Sequence, residues 1–174
     1  MNIAVFSDSH DNTDAITWVL HHARQEGCTY GIHCGDIVAG FSAQLLAQSP
    51  FPIIAVFGNN DGDHKYLRQV AAESNGILTF SDDGGTGTET IDNRTIFISH
   101  YPEPARHAAS TGRYDAVFYG HTHHHAIDAI GNTLLCNPGE LYGGRTGTIS
   151  YLIYDTTRHT VRTISIPRTA VKCQ

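Results

Sequence analysis

Five apolar runs in this chain each stop at residues able to bind a metal. They are AVFSDSH (4–10), GIHCGD (31–36), AVFGNND (55–61), IFISH (96–100) and AVFYGHTH (116–123). Short apolar runs bounded by turn residues read as strands, and in open α/β sheets sites form beyond the carboxyl ends of strands. Five such strands in one sheet would deliver Asp8, His10, Asp36, Asn59, His100, His121 and His123 to one edge.

The segments between these runs fix the class. TDAITWVLHHARQEG (13–27) has helical spacing, with Ile16, Val19, Leu20 and Ala23 on one face, Thr13 or Asp14 as cap and Gly27 as stop. SAQLLAQ (42–48) and DHKYLRQVAAES (63–74) read as two further helices, so the first half resolves into β-α units on a parallel sheet. After residue 76 short strands and glycine turns dominate, interrupted by one helix at 103–112; DDGGTGT (82–88) and IGNT (130–133) read as hairpin turns. This half predicts a mainly antiparallel sheet. The expected architecture is an α/β (α+β) fold, two sheets face to face with helices outside, in a single domain over 1–174.

Composition removes several function classes. The net charge is −6, with 11 Lys+Arg against 17 Asp+Glu, which argues against a long nucleic acid or an anionic membrane as partner. No run is long enough to span a bilayer, and the amino terminus does not read as a signal peptide. Cys28, Cys34, Cys136 and Cys173 form no C-x-x-C pair and read as small buried residues in a reducing, cytoplasmic compartment. Homo-oligomerisation is compatible with the sequence.

Carboxylates, an amide oxygen and imidazoles suit borderline divalent ions. Seven donors exceed one tetrahedral site and suit two ions sharing a carboxylate, an arrangement that clamps both oxygens of an in-line displacement at phosphorus when the ions stand about 3.5–4 Å apart. Singly, Asp8 and Asp36 would read as turn or helix caps, and His100 as a core histidine. Their combination favours the metal reading.

The ordered set D-x-H (Asp8, His10), G-D (Gly35, Asp36), G-N-x-D (Gly58, Asn59, Asp61), a strand-terminal His100 and G-H-x-H (Gly120, His121, His123) resembles the calcineurin-like metallophosphoesterases. NPGE (137–140) followed by Arg145 is similar to the N-P-G-S…R segment of the small prokaryotic phosphodiesterase branch. The resemblance covers roughly residues 1–155 and implies a four-layer αββα sandwich of two mixed β-sheets. It implies two divalent ions, with manganese favoured and nickel, iron or zinc also suitable. One ion would take Asp8, His10, Asp36 and His123; the other would take Asp36, Asn59, His100 and His121; Asp36 would bridge them. A shared hydroxide would attack a phosphodiester or small phosphate ester. Asn60 and Asp61 are the candidate catalytic residues, and Asn60 and Arg145 the candidate substrate contacts. The alternative function is a catalytically weak protein-interaction scaffold on the same fold; a nuclease acting on long polymers would use the same site.

Three departures from the family pattern stand out. Asn60 occupies a position where many members have a histidine; asparagine donates a hydrogen bond but cannot act as a general acid. That calls for a good leaving group or an acid such as His124 or His125. Tyr101 and Pro102 replace glycine and a second histidine. Glu140 replaces serine and adds a negative charge. Within GHTHHH (120–125), His121 and His123 share a face at i and i+2, while His124 points away and His125 lies beyond. At least one of His21 and His22 reads as solvent-facing, as do His64, His107 and His159, while His33 reads as packed and Trp18 as core between helix and sheet.

Overall fold

The computed structural model describes residues 1–81 and 85–171. The first strand, β1 (Asn2–Phe6), shows how the layers arise. Side chains alternate across a strand. Ile3 and Val5 enter one core and Ala4 and Phe6 another, and all four are fully buried. A strand covered on both faces needs a continuous apolar run, and that is what the sequence carries here.

The helices α1 (Thr13–Gln25), α2 (Gly40–Leu46) and α3 (His64–Glu73) return the chain to β2 (Cys28–His33), β3 (Ile53–Ala55) and β4 (Leu78–Phe80), all parallel to β1. Ala15, Ile16, Val19, Leu20 and Ala23 of α1 pack against Ala4 and Phe6. Asn12, rather than Thr13 or Asp14, caps α1 by accepting the Ala15 N–H at 3.2 Å. Trp18 is half-buried on this same layer, stacked on His22 with ring centroids 5.3 Å apart.

The second sheet has the order β5-β6-β7-β9-β8, from β5 (Thr86–Ile91), β6 (Arg94–Ser99), β7 (Ala116–Tyr119), β8 (Ala126–Ile130) and β9 (Thr133–Asn137). Helix α4 (Pro102–Ser110) covers its outer face through Ala105, Ala108 and Ala109 against Val117, Tyr119 and Leu135. Ile32, Val56, Ile96, Ile98, Phe118 and Tyr154 fill the layer between the sheets. The result is an αββα sandwich of two mixed sheets.

Three expectations need correction. The second half does not form its own antiparallel sheet. Strands β10 (Thr148–Asp155) and β11 (Thr160–Pro167) return to the first sheet, giving the order β11-β10-β1-β2-β3-β4. Meanwhile β6, β7 and β9 are parallel, because a crossover through α4 lays β6 and β7 in the same direction. The strands flanking 82–88 do not pair as a hairpin: β4 and β5 lie in different sheets, and residues 82–84 lie outside the described residues. The hairpin at 130–133 does form, with Ile130 paired to Thr133. Lastly, the five donor-tipped strands do not share one sheet. β1, β2 and β3 lie in the first, β6 and β7 in the second. Their carboxyl ends still meet at one end of the sandwich, where His100 reaches across to the Cys34 carbonyl at 2.9 Å.

Candidate metal centre

The loops beyond these strand ends are cross-laced by backbone hydrogen bonds. The Asp8 N–H donates to Gly35 O at 3.0 Å, His10 N–H to Asp36 O at 3.1 Å and Gly120 N–H to His100 O at 3.1 Å. Such close approach explains the motif glycines. A Cβ on Gly58 would stand 2.2 Å from Asp36 Oδ1, and one on Gly120 2.0 Å from Ser7 Oγ. Asp8, His10, Asp36, His121 and His123 all have positive φ, between 40° and 68°. Each such non-glycine residue costs on the order of 1–3 kcal/mol, and strain of this kind clusters at functional sites. Val38, on the rim, has φ 84°, an outlier for a β-branched residue.

Hydrogen bonding then sets which ring nitrogens are free. His100 Nδ1–H donates to Cys34 O, which leaves Nε2 as a lone pair. That lone pair faces Asn59 Oδ1 at 3.0 Å, and His121 Nδ1 stands 2.8 Å from the same oxygen. His123 Nδ1–H donates to Glu140 Oε2 at 2.6 Å, so its Nε2 lone pair faces Asp8 Oδ1 at 3.6 Å. Asp36 Oδ2 lies between the two groups, 3.4 Å from His10 Nε2 and 3.6 Å from His100 Nε2.

Burial pushes the Asp8 carboxyl up to about 7, with Asp36 adding to the rise. Burial likewise lowers His10 and His100, which favours neutral, ligand-competent imidazoles. Asp36 is pushed up by burial, but two N–H donors of Asn60 and the nearby His100 and His10 outweigh it and hold it below the ordinary carboxylate range.

These residues fit divalent ions. Asp8 Oδ1 and His10 Nε2 are buried without a hydrogen-bond partner, although buried polar groups are nearly always paired. They stand 3.9 Å apart. The donor atoms of Asp8, His10 and His123 lie within 4.8 Å of one another, as do those of Asp8, Asp36 and His100. Donors bound about 2.0–2.2 Å from one ion stand roughly 3–3.5 Å apart, close to the 3.4–3.9 Å measured between these atoms. A buried carboxylate oxygen and a buried imidazole nitrogen without partners, at these separations, describe a cradle for cations.

Five of the seven candidate ligands, His10, Asp36, Asn59, His121 and His123, line one open cleft of about 420 Å³, into which Val38, Asn60, Tyr142 and Arg145 also face; Asp8 and His100 are fully buried beneath it. Asn60 is turned onto Asp36, its backbone N–H on Oδ1 and its amide on Oδ2, each at 2.8 Å. Asp61 sits behind the cleft. Its carboxylate accepts four backbone N–H bonds, from Asp36, Ile37, Val38 and Gly58, at 2.6–3.1 Å. It therefore clamps the loop after β2 to the loop after β3. His124 and His125 line a neighbouring hollow, where His125 meets Thr163 Oγ1 at 2.6 Å.

The sequence reading missed two supports. The buried Asn137 donates to Gly120 O and Thr122 Oγ1 and so holds the GHTH turn. Glu140 is fully buried against His123. The only signal was their place in the NPGE segment, which does not reveal a partner 17 residues away. His33 is packed as expected, accepting the Gly35 N–H at Nδ1 and facing Ser9 Oγ; burial pushes it down to about 3.

Comparison with known proteins shows the family of this fold. The calcineurin-like phosphoesterase superfamily domain matches residues 1–159. Phosphodiesterase MJ0936 of Methanocaldococcus jannaschii is 32% identical over 166 residues, 94% of this chain and 98% of that protein. A solved archaeal phosphodiesterase superimposes with a TM-score of 0.88 at 32% identity, over 95% of this chain and 100% of that one. Yfce, a phosphoesterase from E. coli, has a TM-score of 0.63 at 19% identity, covering 96% and 99%. The fold is the metallophosphoesterase fold. The chain belongs to the calcineurin-like phosphoesterase superfamily, and it is a phosphoric ester hydrolase. The scaffold alternative gives way to this assignment.

Proposed function

We propose that this chain is a single-domain phosphodiesterase that works with two divalent ions. The observation that carries the reading is the meeting of two buried atoms without hydrogen-bond partners, Asp8 Oδ1 and His10 Nε2, 3.9 Å apart, at the edge of the cleft that His10 lines. Asp8, His10, Asp36 and His123 would hold one ion, and Asp36, Asn59, His100 and His121 the other, with Asp36 shared. When bound, such a pair would supply an acidified water and neutralise charge building on the phosphoryl oxygens; manganese is our first choice of metal.

The chain's own residues do the rest. Asn60 fixes both carboxylate oxygens of Asp36, the residue that would be shared. Asp61 fixes the backbone on which Asp36 stands. Arg145, on the rim, pairs with a phosphoryl oxygen. Asn60 has no proton to give, and His124 and His125 face another hollow, so the substrate must carry a good leaving group. That favours activated diesters over monoesters, in line with the phosphodiesterase relative. An open cleft and a net charge of −6 suit a small ester over a long polymer. We place the chain in the cytoplasm, since Cys28, Cys34 and Cys136 are unpaired and buried; Cys173 lies outside the described residues, and no described helix is long and apolar enough to cross a membrane.

The test is hydrolysis of aryl phosphodiesters and monoesters with added Mn²⁺ or Ni²⁺. We expect metal-dependent turnover, faster for the diester, and a loss of at least 100-fold (~2.7 kcal/mol of barrier) in Asp36→Asn and His121→Ala. Turnover that survives both substitutions would refute the assignment.

A further inference from the structure

Glu140 stands where the branch resemblance has serine, and its environment is unlike that of a substituted surface residue. It is fully buried. Oε2 takes the Nδ1–H of His123 at 2.6 Å. Oε1 takes the backbone N–H of Arg145 at 3.1 Å, that of Thr146 at 2.7 Å and the Thr146 hydroxyl at 2.8 Å. A buried carboxylate without partners is costly, and here four donors meet it. The preceding turn aims it inward: Gly139 has φ +81°, and a Cβ there would stand 2.2 Å from Ser150 Oγ.

We propose that Glu140 is a positioning residue with two tasks, one for each oxygen. Through Oε2 it fixes His123 in the Nδ1–H tautomer and turns Nε2 toward Asp8 Oδ1. Through Oε1 it anchors the loop that carries Arg145. The proposal rests on the two-ion reading above.

Three considerations carry it. A carboxylate only accepts, so the proton on this short contact belongs to His123 Nδ1, and Nε2 is left as the donor atom. A carboxylate behind a ligating imidazole raises its basicity and fixes its ring, which typically matters 10–100-fold in metal affinity. The second candidate centre lacks this device: His100 is oriented by a neutral carbonyl, Cys34 O. The two ion sites are therefore unequal, and the site built on Asp8, His10 and His123 depends on Glu140. A serine hydroxyl is too short to span from His123 to Thr146, so the substitution gains a link between ligand and phosphate-contact loop that serine cannot make.

The test begins with metal-stripped wild-type protein. ¹⁵N-edited NMR of the histidine side chains reads the His123 tautomer; we expect the proton on Nδ1, and an Nε2–H tautomer would overturn the proposal even if no variant folds. Wild type, Glu140→Gln and Thr146→Val are then titrated with Mn²⁺ by calorimetry. We expect two ions in wild type, one of them weakened 10–100-fold in Glu140→Gln and the other unchanged. Thr146→Val removes one Oε1 partner and leaves His123 held, so it should keep both affinities and raise KM for an aryl phosphodiester with kcat retained. Wild-type affinities at both sites in Glu140→Gln, or equal weakening of both, would overturn the positioning role. A wild type that takes up no Mn²⁺ would instead bring down the two-ion reading itself.

Discussion

At the residue scale, Asp8 states the molecule's problem most plainly. Its Oδ2 accepts the His121 N–H at 3.0 Å, but Oδ1 is buried without a partner. Burial raises this acid from 3.8 to about 7. Between those values the metal-free fold holds a proton that the unfolded chain has lost. The metal-free protein therefore loses stability as pH rises through this window, by up to about 1.4 kcal/mol per unit from this group. Asp8→Asn removes the penalty, and its amide can donate toward the lone pairs of His10 and His123. We expect metal-free Asp8→Asn to be about 1–3 kcal/mol more stable than metal-free wild type at pH 8, with the order reversed in Mn²⁺. Urea denaturation at pH 5 and pH 8, with chelator and with Mn²⁺, measures both. A wild type that Mn²⁺ stabilises no more than the variant would contradict the assignment of Asp8 as a ligand.

At the element scale, the site consists of strand ends pinned together. Asp61 joins the loops after β2 and β3 with four backbone hydrogen bonds. Asp61→Asn turns two acceptor positions into donors facing donors, and should cost on the order of 3 kcal/mol while weakening metal uptake. Gly58→Ala should do likewise, because its Cβ would meet both the side chain and the backbone of Asp36. Thermal unfolding with Mn²⁺ titration tests the pair; wild-type metal affinity in either would show that the loops need no such clamp. These elements also show what the sequence could tell. Each donor-tipped strand was legible, because a doubly buried strand must be an apolar run and its ligands must follow it. The division of those strands between two sheets was not legible. β6 and β1 have the same local pattern, and only the return of β10 beside β1 decides the layers. Asp61, Asn137 and Glu140 stand in recognisable motifs, but their supporting roles were not legible, since they depend on partners that only the folded topology brings near. The cap of α1 fell to Asn12 because its side chain also donates to the Leu141 and Tyr142 carbonyls at 3.1 Å.

At the scale of the whole molecule, three apolar layers hold two sheets so that their carboxyl ends meet. The strained, unpaired cluster at that junction is held by the rest of the fold, and bound ions would relieve it. Ion binding to the folded state alone adds about 2.7 kcal/mol per site at 100 times Kd, so metal removal should lower Tm markedly. The proposal that two ions sharing Asp36 run the hydrolysis is decided by titrating metal-stripped protein with Mn²⁺ while following aryl phosphodiester turnover and bound metal together. Two equivalents should bind, turnover should rise with the second, and Asp36→Asn should lose both the stoichiometry and the rate. Full turnover with one equivalent, or turnover that persists in excess chelator, would contradict it.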